Sequence, residues 1–157
     1  SAQGDRDAQY NLAVLYDQGL GVTADKSEAL RLYRAAANQG NAKAAYNLGY
    51  YYEVGDGLPK APMEAVRWYR IAAEQNHATA QMNLGYCFAN GIGVPIDPVE
   101  AYRWTLLAAV QRNAVAISNA TLMRSRMTQA DIAEASARAR HWLRIHNLTV
   151  PTPASPQ

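Results

Sequence analysis

The sequence predicts an all-α fold, a solenoid that stacks copies of one helical hairpin, and three observations carry the prediction. Residues recur at a fixed step: Leu12, Leu48 and Leu84 are evenly spaced (48 − 12 = 84 − 48), as are Asn11, Asn47 and Asn83, and Glu28, Glu64 and Glu100. A gapless period in the range of roughly 20–50 residues is the mark of a repeat array. Each unit also carries apolar residues at helical spacing, such as Ala44, Leu48 and Tyr51 with Tyr52. Each such run stops at a Gly-x-Gly pair: Gly19 and Gly21, Gly55 and Gly57, Gly91 and Gly93.

Taken in order, the chain divides into unit one (4–39), unit two (40–75) and unit three (76–111). Within unit two, helix A is expected over about 42–54. Gly55 then closes it, because a residue without Cβ enters the left-handed conformation freely. Helix B of unit three opens on Asp97, Pro98 and Glu100, an acid at the N-cap, a proline at the first turn and a capping-box glutamate. Asp25 and Glu28 repeat that signal in unit one. In unit two the cap position falls to Ala61, which has no side-chain acceptor. Helix B then presents Ala29, Tyr33 and Ala36, repeated as Ala65, Tyr69 and Ala72: small residues for close approach, an aromatic for the gap between.

After residue 111 the register continues through Ala116, Asn119, Ala120 and Leu122, but Met127 and Gln129 replace the turn glycines. Thr128 and Asp131 start a last helix, about 129–146, with a stripe of Ile132, Ala135, Ala139, Trp142 and Leu143. A solenoid end needs a cap with one polar face, and this C-terminal capping helix supplies it with arginines. The repeat domain is thus expected over 1–147, followed by a Pro-rich extended tail at 148–157. At the other end, Gln3-Gly4 matches Gln39-Gly40. The chain therefore reads as starting at the end of another helix B, the C-terminal piece of a longer protein.

The run Ala8-Gln9-Tyr10-Asn11-Leu12-Ala13-x-x-Tyr16-x-x-Gly19-x-Gly21-Val22, followed by Glu28-Ala29-x-x-x-Tyr33-x-x-Ala36-Ala37-x-Gln39-Gly40, resembles the Sel-1-like repeat family, close relatives of the tetratricopeptide repeats. The match covers roughly residues 4–111. It departs from the pattern at Ala13, where the other units have Gly49 and Gly85, and at Thr105, where a tyrosine is expected. The resemblance implies a right-handed α-α superhelix of antiparallel helix pairs. It also implies a scaffold or adaptor that assembles protein complexes, in bacterial signalling, envelope or localisation roles, rather than an enzyme.

Net charge is +2 but uneven: 9 basic against 11 acidic residues before position 112, and 6 against 2 from there on. The basic end raises an alternative reading, binding to a membrane surface or nucleic acid through Arg138, Arg140 and Arg144. Aromatics are not interleaved with these arginines as single-strand binding requires, and no apolar run is long enough to span a bilayer. The expectation is therefore neither nucleic acid nor membrane insertion. The single cysteine, Cys87, forms no internal disulfide and leaves bacterial periplasm and cytoplasm both open. It also sets the chain apart from the cysteine-rich relatives for which hydrolase-like activity has been claimed, the other alternative.

No catalytic constellation emerges, and no metal or cofactor is expected. His141 and His146 are five residues apart, off the one-face spacing of a helical metal pair. The candidate site is a surface on helix A. In tetratricopeptide-type superhelices helix A lines the concave face, so stacking would align Asn11, Asn47, Asn83 and Asn119 in a row. Lys43, Tyr10, Tyr46, Tyr50, Met82 and Tyr86 flank that row. Such amides can donate to and accept from an extended peptide backbone. They can equally satisfy buried groups between repeats, and the sequence leaves both roles open.

Overall fold

A computed structural model describes residues 2–148, with side chains from residue 4 onward. Its elements are α1 (Ala2–Gln18), α2 (Lys26–Asn38), α3 (Ala42–Val54), α4 (Pro62–Glu74), α5 (Ala78–Asn90), α6 (Pro98–Val110), α7 (Ala114–Arg124) and α8 (Gln129–Ile145). They form a right-handed superhelix of antiparallel pairs. α1 packs on α2, α3 on α4 and α5 on α6, and each pair's second helix carries the first helix of the next.

The interior is built from alanines with larger aromatic and leucine side chains packed between them. Ala29, Ala36, Ala44, Ala72, Ala80, Ala101 and Ala108 are fully buried, and Tyr33 and Tyr69 fill the space their small side chains leave. At Gly49 the approach is closer still, since a methyl group there would lie 2.5 Å from the Tyr69 ring. That forces glycine at this position. Leu48 and Leu84 are fully buried between units, whereas Leu12 at the same place in α1 is 40% exposed.

The caps follow the sequence closely. Gly55 and Gly91 close α3 and α5 in the left-handed conformation. Asp25 accepts from the Glu28 N–H, Asp97 from the Glu100 N–H and Thr128 from the Asp131 N–H, while Ala61 makes no side-chain cap bond. The glutamates at 28 and 100 do not reach back to complete a capping box. They pair instead with Arg31 and Arg103 one turn on, at 2.6 and 2.9 Å.

One expectation needs correction. Gly4 is not a repeat boundary, because α1 runs through it from Ala2. Asp5, at the place where Asn41 caps α3, is helical too and does not start the element. The end of the array follows the sequence: α7 keeps the register and the turn after it is missing. α7 terminates at Ser125 in the right-handed conformation, without the left-handed reversal. α8 consequently docks on α6. Trp142 packs edge-on against Trp104 at 6.4 Å and donates its Nε1–H to Glu74 at the end of α4, 2.7 Å away. Of the tail, Leu148 packs against the core, and residues 149–157 lie outside the described chain.

The link from each helix B to the next helix A also needs one left-handed residue, and the units fill it differently: Gly40 (φ 86), Asn76 (φ 62) and Arg112 (φ 62). An L-residue with a long side chain is disfavoured there by about 1–2 kcal/mol, partly offset by the extra freedom glycine has when unfolded. Arg112→Gly is therefore expected to stabilise the chain by about 0.5–1 kcal/mol in urea unfolding. Ala61→Asp, which restores the missing cap of α4, should add about 1 kcal/mol in the same assay. An unchanged midpoint in either variant would contradict the conformational assignment behind it.

Candidate interaction groove

The first helices of the units, α1, α3, α5 and α7, present equivalent positions on one face. One row is Val14, Tyr50, Tyr86 and Leu122, and its last three members are 47%, 55% and 52% exposed. Large apolar side chains are thus held in water at the same point of successive repeats. Beside them runs the asparagine row: Asn11 is exposed, while Asn47, Asn83 and Asn119 are half-buried. Tyr10, Tyr46 and Met82 are half-buried as well. Both tyrosines pack against the core, while Lys43 is exposed at the rim with its ammonium 6.0 Å from the Tyr10 ring.

The asparagines are not wholly free. Asn47 faces the Tyr33 phenol of the preceding helix B, and Asn83 faces that of Tyr69, each favouring the ionised form. Burial dominates and pushes both phenols far up, so both stay protonated. Each amide therefore contributes to the joint between units.

Between units one and two the groove deepens into a cleft of about 390 Å³. Five tyrosines line it (Tyr10, Tyr33, Tyr46, Tyr50 and Tyr51), with Val14, Asp17, Gln18 and Asn47. Asp17 forms its floor. Lys26 donates to Oδ1 at 2.7 Å, Tyr33 to Oδ2 at 3.2 Å, and Tyr51 to Oδ2 as well. Burial alone would raise this carboxyl, but the bonds from Lys26, Tyr51 and Tyr33 outweigh it and hold it below its ordinary range. Lys26, held well above its usual range chiefly by Asp17, also reaches Asp56 at 3.0 Å.

Unit two repeats the motif, with Tyr69 donating to Glu53. The sequence reading missed these acids. The signal was present in their spacing, since 33 − 17 = 69 − 53, and both members are lost together in unit three, where Ala89 faces a Thr105 that donates to its own helix at Ala101. Away from the groove, Arg138 is tied to Glu100 and Glu134 at 2.7 and 2.5 Å, and Arg144 contacts His141. Cys87 is buried, which pushes its thiol up to about 11 and leaves it unreactive at neutral pH.

A family model for the Sel1 repeat matches residues 6–41, 42–77 and 78–111. Among solved structures, a Sel1 repeat protein from Oxalobacter formigenes is 45% identical with a TM-score of 0.74, covering 76% of this chain and 49% of that one. A protective antigen of uropathogenic Escherichia coli strains, displaying an SLR fold, is 25% identical with a TM-score of 0.63, covering 99% of this chain and 43% of the other. The chain thus spans about half the length of these proteins. No curated protein matches it.

One helix cap beside the groove is a histidine. His77 caps α5 by accepting the Ala80 N–H at Nδ1, and its ring stacks on Tyr46 with centroids 4.8 Å apart. Asn41 and Asn113 hold the same cap position in the neighbouring units. Burial, then the charge of Lys43, lowers the His77 pKa. The sign follows: the folded state binds this proton less well than the unfolded state, so the contribution is complete above the unfolded value of about 6.5 and is lost as pH falls below it. His77→Asn should therefore flatten the drop in melting temperature between about pH 7 and pH 5 relative to the parent chain. Parallel curves for the two proteins would show that the imidazole does not cap in its neutral form.

Proposed function

The chain belongs to the Sel1 repeat family, and we propose that it works as an interaction scaffold that holds a segment of a protein partner along the trough of α1, α3, α5 and α7. Proteins of this family generally mediate protein–protein interaction, and the family is a helical-repeat scaffold that is generally non-catalytic. The observation that carries the reading is the row Tyr50, Tyr86 and Leu122, solvent-facing at the same place in successive repeats and continued in unit one by the half-buried Val14. Isolated apolar residues on a surface need no explanation, but a row repeated with the period of the fold marks a contact face. The cleft beside it leaves room for a guest.

Magnitudes assign the parts. Four amide-to-backbone hydrogen bonds from Asn11, Asn47, Asn83 and Asn119, at about 1 kcal/mol each, supply about 4 kcal/mol. Micromolar binding needs about 8 kcal/mol. The aromatic row supplies the remainder, as aromatic side chains do at the centres of interfaces. Tyr10, Tyr46, Lys43 and Met82 complete the contact surface in this reading, and the most natural guest is an extended segment. No helix among the described residues is long and apolar enough to cross a membrane.

With a partner purified on the parent chain, Tyr50→Ala combined with Tyr86→Ala should weaken binding at least tenfold while leaving the melting temperature within about a degree, because both rings are exposed. Asn47→Ala with Asn83→Ala should lower both stability and affinity. Unchanged affinity in the tyrosine pair would remove the groove as the binding face.

A further inference from the structure

The cleft between units one and two has a chemistry that specifies its guest more narrowly. We propose that it receives a cationic side chain of the partner segment, an arginine, seated among Tyr10, Tyr46 and Tyr50 above Asp17. This inference rests on the groove reading and adds the identity of one anchor.

Three features carry it. The first is hydrogen-bond polarity. Tyr33 and Tyr51 both give their protons to Asp17, so neither can donate toward the cleft, and the Tyr51 oxygen already accepts from Lys26 at 3.5 Å. A guest must therefore bring donors, and a guanidinium has five of them and no acceptor. The second is the aromatic wall. Five ring systems meet around one opening, and the fold already uses two of them to hold cations: Lys26 lies 4.7 Å from the Tyr51 centroid and Lys43 6.0 Å from that of Tyr10. The Tyr50 ring, 47% exposed, is the ring of this group most open to a guest. A planar guanidinium stacks on such a face better than an ammonium does.

The third feature is charge. Lys26 is shared between Asp17 and Asp56, one cation for two carboxylates. Glu53, one turn beyond Tyr50 on α3, accepts from Tyr69, and no lysine or arginine pairs with it among the described residues. The neighbourhood therefore retains uncompensated negative charge. Lys43 at the rim opposes a cationic guest and occupies the Tyr10 face until one displaces it.

The test uses N-acetyl-arginine amide as a probe of the whole chain, with N-acetyl-citrulline amide as its uncharged isostere. Tyrosine ring resonances are followed by NMR. Saturable shifts at Tyr10, Tyr46 and Tyr50 are expected with arginine and at least about tenfold weaker binding with citrulline. Tyr50→Ala should weaken the arginine response by a similar factor. Lys43→Ala should strengthen it about threefold by removing a competing like charge, an effect that a merely structural role for Lys43 would not produce. Equal responses to the two probes, no response to arginine, or an arginine response that survives Tyr50→Ala would each overturn the proposal. The groove reading is tested separately with a protein partner. A partner that depends on Tyr86 while the chain ignores arginine would refute this anchor and leave the groove standing.

Discussion

The tyrosine that the second helices of units one and two push against the small residues of the first helix sets the spacing of those two hairpins. Tyr69 lies so close to Gly49 that no side chain fits between them, and Tyr33 is 1% exposed opposite a fully buried Ala13. A ring enclosed this completely must still satisfy its hydroxyl, since a buried unpaired phenol costs as much as the packing gains. Asp17 and Glu53 answer that need from the end of the paired first helix, and Asn47 and Asn83 approach from the next unit. One residue thus fixes the hairpin, the contact between hairpins and the polar floor of the trough.

Unit three shows what happens when that residue changes. Thr105 is too short to reach across, and it returns its hydroxyl to the Ala101 carbonyl. The acid disappears with it, leaving Ala89. Trp104 is fully buried, as its counterpart Trp68 is nearly so in unit two, and Trp142 of α8 packs against it.

Much of this was legible in the sequence. The period gave the hairpins, the Gly-x-Gly pairs gave the reversals, and Asp25, Asp97 and Thr128 announced their helices by a local rule that involves only residues within one turn. The rows on the first helices could be placed because their register is fixed by the buried leucine. The floor was harder to see. Asp17 and Tyr33 belong to different helices, and nothing local to either residue says that they touch. Their equal spacing in units one and two, and their joint loss at Ala89 and Thr105, betray the pairing. The docking of α8 was hidden for a similar reason. Its own stripe and the missing reversal before it were plain, but its seat on α6 depends on geometry accumulated over several residues.

The indole bond from Trp142 to the far end of α4 makes the last helix a strap across two units rather than a lid on one. Peeling α8 away exposes the hydrophobic flank of the third hairpin and simultaneously releases the tail of the second. A linear array ordinarily loses its terminal copies one at a time, each held only by its nearest neighbour. Here the C-terminal end is locked to its next-nearest neighbour, so unravelling from that side proceeds in one larger cooperative step, and the trough keeps its curvature until that step occurs.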